Sequence, residues 1–230
     1  PLDRDGLFKG PFASGAPAIF TDAAARIGKK VGFIGSTGQD DFGTLLRRRF
    51  KQDGIDCRMV NSVNQKATGC AFVAYDGTGS RKFIFHIAGT ASDRLPPASA
   101  AARYARSFRH AHLMGCSLSI SEAMRETCYA VARAVKEAGG SVSLDPNLRP
   151  ELLSADRCRE ILMPVVRISD ILLPSGGEAS LLVGEPDPGK ACHMLLEMGV
   201  KIVVLKLGSN GCRVYTRGET LDVPGFNIKA

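Results

Sequence analysis

The sequence predicts an α/β protein: a doubly wound, mostly parallel sheet flanked by helices, with a small β lid. Three observations carry this. Strand-like and helix-like patterns alternate along most of the 230 residues, as in a parallel sheet covered on both faces. Helical patterns stop on glycine, at Gly28, Gly54, Gly139-Gly140 and Gly199. One stretch breaks the alternation. Cys70–Tyr75 and Lys82–His86 flank Asp76-Gly-Thr-Gly, a β-hairpin by its turn chemistry. Inside such a chain it reads as a flap over a site, or as an added edge of the main sheet.

Residues 1–17 are turn-rich and end in the small-residue run Ser14-Gly-Ala-Pro17. The helical pattern Ala18–Ile27 follows, so backbone N–H groups open toward whatever lies above that loop. Val31–Gly35 reads as a buried strand, and Asp40 is placed to cap a helix running to about Gln52. Cys57–Val60 is a short strand. After the hairpin, Pro97–Arg106 is helical, His110–Gly115 is a strand, and Ser121 caps a long amphipathic helix to Ala138.

Ser141–Pro150, SVSLDPNLRP, is a buried strand that breaks into Asp145, Pro146, Asn147 and Arg149. A strand ending in a carboxylate, an amide and a guanidinium is how a parallel sheet presents a ligand site at its carboxyl edge. The same residues also suit a turn in which Asp145 and Asn147 only cap and Arg149 only pairs with a surface acid. The helix Ala155–Val166, the strand Ile168–Leu173 and a helix opening at Ser175 follow. The helix Pro188–Met198 leads to the strand Lys201–Leu205, then the turn Lys206-Leu-Gly-Ser-Asn-Gly211 and the strands Cys212–Tyr215 and Thr220–Val223.

Composition removes several classes. The net charge of +7 comes from scattered residues, and the one cluster, Arg47–Arg49 with Lys51, falls on a helical face; no nucleic-acid footprint results. A mild positive balance suits an anionic substrate such as a nucleotide. None of the seven cysteines forms a CxxC pair, which argues for buried thiols in a reducing compartment. His110 and His112 share one strand face and read as a satisfied structural pair. With no signal peptide or apolar span, the expected location is the cytoplasm, with no membrane partner. P-loop, dinucleotide and nucleophile-elbow spacings are missing. What remains is a set of small or polar strand tips: Gly35–Gly43, Gly115–Ser119, Asp145–Arg149, Ser175–Glu178 and Lys206–Gly211.

Taken in order, these tips resemble the ribokinase-like (PfkB) carbohydrate kinases over essentially the whole chain. SGAPAIFTDAAARIG resembles the family's first sugar-contacting loop and helix, and GSTGQDDFG its Gly-x-Asp-x-x-Gly segment. The CAFVAY/KFIFH hairpin sits where the family has its lid. LDPNLRP is similar to the form in fructokinases and 2-keto-3-deoxygluconate kinases. LLPSGGEASLLVGE resembles the Asn-x-x-Glu region, with Ser175 in place of Asn, and VVLKLGSNG the nucleotide-binding strand and turn.

The resemblance implies transfer of the γ-phosphoryl group of ATP, with Mg2+, to a hydroxyl of a small sugar of the fructose or 2-keto-3-deoxygluconate type. It implies one ribokinase-like domain over 1–230, with lid strands from about 8–14 and 68–90; hairpin lids with apolar outer faces often pair across a two-fold axis, so a homodimer through the lid is expected. By position, Gly15, Ala16, Pro17, Ala18 and Arg149 would contact the sugar or the incoming phosphate, with Phe85 and His86 closing from the lid. Ser175, Lys206, Gly208, Ser209 and Gly211 would line the nucleotide, and Glu178 would organise the metal shell. Ile19 stands where many members have a sugar-binding Asn, and His86 where the keto-deoxy-gluconate kinases have Arg. The family's first strand would precede Pro1, and its Gly-Ala-Gly-Asp base segment would follow Ala230, so no catalytic base is expected within these residues. Two alternatives stay open: a catalytically inactive sugar or nucleotide binder, and a nucleoside or vitamin kinase of the same fold.

Overall fold

Pro17 sits in the first turn of α1 (Ala16–Arg26), where its missing N–H costs nothing, and Gly15 takes φ 109° to turn the chain into it. This opens the first of two compact units of the computed structural model, Pro1–Pro97 and Ala98–Ala230. The residues described are 7–75, 81–148 and 153–227. No composition shift near Pro97 announces this division.

In the first unit, β1 (Gly32–Gly38) and β2 (Asp56–Val63) pair in parallel through α2 (Asp41–Gln52). Asp40 caps α2 as the sequence predicts, accepting from the Gly43 N–H at 2.8 Å. Ala18, Phe50 and Ile55 form the core here, with the Phe33 and Phe50 rings 4.8 Å apart. The hairpin strands β3 (Cys70–Tyr75) and β4 (Arg81–His86) pair only with each other among the described residues, so the hairpin is not an added edge of the main sheet. The lid strand expected at about 8–14 is not a strand in residues 7–14. Pro11 lacks a ladder donor, and the segment instead meets β3 through the Phe8 ring, edge-on to Phe72 at 5.7 Å.

The second unit is a six-stranded sheet in the order β10-β9-β8-β7-β6-β5. Its strands are β5 (His110–Met114), β6 (Ser141–Asp145), β7 (Ile171–Leu172), β8 (Ile202–Lys206), β9 (Cys212–Tyr215) and β10 (Thr220–Val223). The first four are parallel; β9 and β10 add antiparallel. The helices are α3 (Ala98–Ala105), α4 (Gly115–Leu118), α5 (Glu122–Glu137), α6 (Ala155–Val166), α7 (Gly176–Val183) and α8 (Pro188–Glu197). Val142, Leu144, Leu172 and Val203 from the strands are fully buried, as are Val135, Val165, Leu182 and Leu195 from the helices. β7 is shorter than its apolar run because the Ile168 and Ser169 N–H groups bond back to Val165 and Val166 at the end of α6. The strand β5 runs directly into α4 at Gly115, where a Cβ would lie 2.0 Å from the Pro146 carbonyl oxygen. Only glycine lets the β6 tip pass there.

His110 and His112 are the structural pair the alternation predicts. His110 bonds Ser141 Oγ and Ser143 Oγ at 2.8 Å, and His112 Nδ1 bonds Ser143 Oγ at 2.7 Å.

At the amino ends of the strands, Asp170 holds α5 to the sheet. Its side chain is 8 % exposed and accepts from Lys136 Nζ, Lys201 Nζ and the Val142 N–H. Burial alone would raise this carboxyl, but those bonds outweigh it and hold it at about 2. The folded value lies below the ordinary 3.8. The stabilisation is therefore complete above about pH 4 and is lost as pH falls toward 2. It amounts to about 2 kcal/mol. Denaturant melts should show Asp170→Asn less stable than wild type at pH 6, with the gap narrowing by about two thirds of that amount at pH 2.5. A gap that does not change with pH would remove the ionised carboxylate from this role. Asp170, Lys136 and Lys201 also line a cleft of about 530 Å3 with Arg109, Gly139, Gly140 and Ser141.

Candidate functional site

The carboxyl ends of β6, β7 and β8 bring together residues far apart in the chain. β6 delivers Asp145, β8 delivers Lys206, and the segment after β7 delivers Ser175 at the start of α7. Ser175 and Lys206 lie side by side through a parallel bridge, with the Lys206 N–H donating to the Pro174 carbonyl at 2.8 Å. Lys206 Nζ then reaches Asp145 Oδ1 at 2.6 Å and stands 3.9 Å from Glu178 Oε2.

Glu178 is a junction. Its Oε2 accepts from the Ser175 N–H at 2.7 Å, half of a capping box that starts α7. Its Oε1 accepts from the Leu148 N–H at 2.8 Å. One side chain thus fixes the helix start and the loop after β6. Its capping role and its place in the site are the same contact.

Asp145 takes the turn role its sequence offered and adds an ion pair to it. It accepts the Asn147 N–H at 3.1 Å, closing a tight turn, and it also holds the Lys206 ammonium. Burial raises the Asp145 carboxyl, Lys206 offsets part of that rise, and the Glu178 charge adds to it. Asn147 takes φ 40°, and its Oδ1 is buried with no hydrogen-bond partner among the described residues. His112 is held at about 4 by burial, by His110 and by Lys206, so its imidazole is neutral at physiological pH.

Three residues named from sequence, Ser175, Glu178 and Lys206, therefore meet. Gly208 (φ 61°) and Ser209 follow them in the exposed β8–β9 hairpin turn, and a Cβ on Gly208 would meet nothing within 4 Å. Gly211 has another duty. A Cβ there would lie 2.1 Å from the Val223 carbonyl oxygen, so it is glycine to let the chain after β10 pack against the turn.

In the first unit, Gly15, Ala16 and Pro17, which the resemblance expects to contact the sugar, form the exposed or half-exposed opening of α1. Ala18 departs from that expectation. Its side chain is buried against Phe50 and Ile55, so only its backbone is left for a ligand. Phe85 and His86 also separate. Successive strand residues point to opposite faces: Phe85 pairs with Ala71 and stacks on Phe83 at 5.5 Å, while His86 pairs with Cys70 and meets Phe72 edge-on at 5.8 Å. One ligand on one face cannot meet both side chains. Arg149 lies outside the described residues.

Sequence reasoning left Asp145 and Asn147 undecided and His112 as scaffold. The available signal was the carboxyl-edge position of Asp145; the partner 61 residues away was not visible.

Residues 12–230 match the family model "pfkB family carbohydrate kinase". The chain is 33% identical to fructokinase-2 of Zea mays over 228 residues, covering 98% of this chain and 67% of that protein. It is 31% identical to fructokinase-2 of Solanum lycopersicum over 229 residues, covering 99% and 69%. Among solved structures, an Escherichia coli ribokinase II candidate in complex with ATP and Mg2+ superposes with a TM-score of 0.91 at 37% identity, over 100% of this chain and 73% of that one. A Vibrio cholerae fructokinase bound to fructose, ADP and calcium gives 0.80 at 26%, over 94% and 70%.

Proposed function

Because this chain belongs to the pfkB family of carbohydrate kinases, we propose that it transfers the γ-phosphoryl group of ATP to a hydroxyl of a fructose-type sugar. It is an ATP-dependent sugar kinase; the choice of fructose is the finer reading. That choice is supported by the fructokinases among its relatives and by His86, which stands where the resemblance puts Arg in keto-deoxy-gluconate kinases.

The observation that carries the mechanism is the Asp145–Lys206–Glu178 cluster, with Asn147 tied to Asp145 through its backbone N–H. Two carboxylates and one unpartnered amide oxygen suit Mg2+, which keeps several waters and binds few protein ligands. Asp145, Asn147 and Glu178 would hold it. When bound, Mg2+ neutralises phosphate charge. Lys206 presents a cation to phosphate oxygens, and Asp145 keeps that ammonium in place. Ser175, Gly208 and Ser209 let a nucleotide approach the backbone, while Gly211 shapes their turn. Gly15, Ala16 and Pro17 offer the sugar a close backbone and the open start of α1. Catalysis of this kind rests on positioning and charge neutralisation.

The lid also supports a homodimer. One face carries Phe72, Ile84 and His86, with Phe72 41% and Ile84 37% exposed; the other carries Val73, Phe83 and Phe85, half-buried. A two-stranded hairpin with apolar side chains on both faces needs cover on both. None of the seven cysteines is in a disulfide, which supports a reducing compartment. No helix among the described residues is long and apolar enough to cross a membrane.

The test is ADP release by the full-length protein across fructose, ribose, 2-keto-3-deoxygluconate and a nucleoside panel, with and without chelator. Fructose should rank first, and chelation should abolish turnover. A nucleoside ranking first would favour the vitamin or nucleoside kinase reading, and no turnover on any acceptor would favour a binder.

A further inference from the structure

The Gly38-x-Asp40-x-x-Gly43 segment has no place in the chemistry above, yet each of its fixed residues meets one threonine. Asp40 Oδ1 accepts from the Gly43 N–H at 2.8 Å and from Thr68 Oγ1 at 2.6 Å, and Asp40 Oδ2 accepts from the Thr68 N–H at 2.7 Å. Thr68 Oγ1 in turn accepts from the Gly38 N–H at 2.8 Å. Thr68 is 5% exposed. A Cβ on Gly38 would lie 2.3 Å from the Lys66 carbonyl oxygen, and one on Gly43 2.2 Å from the Gly38 oxygen and 2.9 Å from Thr68 Oγ1. Gly38 is required by the closeness of the Lys66–Thr68 stalk, and Gly43 by the Gly38 carbonyl first and Thr68 Oγ1 second. An N-cap needs one oxygen; Asp40 makes two of its three bonds outside the helix.

Thr68 stands two residues before β3, at the stem of the hairpin. The returning stalk is tied at the same level: the Ala91 N–H donates to the Ala67 carbonyl at 2.8 Å, and Lys66 Nζ donates to the Gly89 carbonyl at 3.0 Å. Gly69 is pinned from the side, since a Cβ there would be 2.8 Å from Ser92 Oγ. Above this level the hairpin makes no ladder bond to any other strand among the described residues. Its backbone hydrogen bonds to the rest of the unit therefore run through its stem, with the Phe8–Phe72 ring contact above it.

We propose that Asp40 and Thr68 form a latch that fixes the lid stem, making both positioning residues for the lid's contact with the sugar. The functional half of this rests on the kinase reading; the latch itself does not. Asp40 also caps α2, so Asp40→Asn mixes two losses. Thr68→Val removes the hydroxyl, which joins Asp40 to the Gly38 N–H, and leaves the Asp40–Gly43 cap intact. Thr68→Ser keeps the hydroxyl.

In full-length Thr68→Val, amide exchange over the stem segments 66–69 and 89–92 should quicken about tenfold, the expected scale for one buried hydrogen bond, while the body of α2 stays unchanged. The KM for the sugar should rise about tenfold with the KM for ATP within twofold, and Thr68→Ser should restore both. Unchanged stem exchange, equal quickening in α2, or a parallel rise of both KM values would overturn the latch. If the wild type turns over no sugar, the kinase reading fails, and stem exchange against α2 alone decides the latch.

Discussion

Glu178→Gln is expected to lower kcat/KM at least 100-fold and to destabilise the protein by about 2 kcal/mol. The side chain is 13 % exposed, and both oxygens accept backbone N–H groups, from Ser175 and from Leu148. Glutamine keeps one acceptor and turns an NH2 toward the other N–H, so a half-buried donor loses its partner. Whichever way the amide turns, either the start of α7 or the loop carrying Asn147 is released. The negative charge beside Lys206 also goes. Steady-state kinetics and a denaturant melt check this, and Glu178→Ala should be worse on both. A Gln variant within threefold of wild-type kcat/KM would show that the charge serves the helix cap alone and would remove Glu178 from the proposed Mg2+ site.

The second large effect concerns Lys206 and Asp145. Lys206→Met should reduce kcat/KM by about 1000-fold, the scale for losing a cation placed on a transferring phosphoryl group. It also strands Asp145, whose side chain is 13% exposed and 2.6 Å from the ammonium. Burial already pushes that carboxyl up, and Lys206 is what limits the rise. Any residual activity should therefore lose its acid limb at higher pH than wild type, because Asp145 takes a proton sooner. Asp145→Asn frees the lysine and should cost less. The double variant should fall short of the summed losses by about 1–2 kcal/mol, the signature of residues acting as a unit. Strict additivity would mean that the ion pair seen at the strand tips plays no part in turnover.

How far the site was legible can be followed residue by residue. Asp145, Ser175 and Lys206 each end a strand or open a helix, so their place at the sheet's carboxyl edge follows from local pattern. Which of them touch does not. The 2.6 Å contact of Lys206 with Asp145 spans 61 residues of chain, and no window of sequence contains it. Glu178 looked equally suited to capping a helix and to serving a site because one carboxylate has lone pairs enough for both. A motif gives position along the chain, whereas the burial of Ala18, the opposite faces of Phe85 and His86 and the packing of Gly211 against Val223 depend on what lies against them.

The sequence by itself determined the order and type of nearly every element. Helix period, β-branched runs, the caps at Asp40 and Ser121 and the glycine stops are all satisfied within a few residues of themselves. Only the tertiary structure decided the division near Pro97, the freedom of the hairpin from the sheet, the shortening of β7 to two residues, and the meeting of Asp145, Glu178 and Lys206. These depend on contacts between distant segments. Their free energy appears only once burial has lowered the local dielectric and excluded the water that would otherwise satisfy each polar group alone.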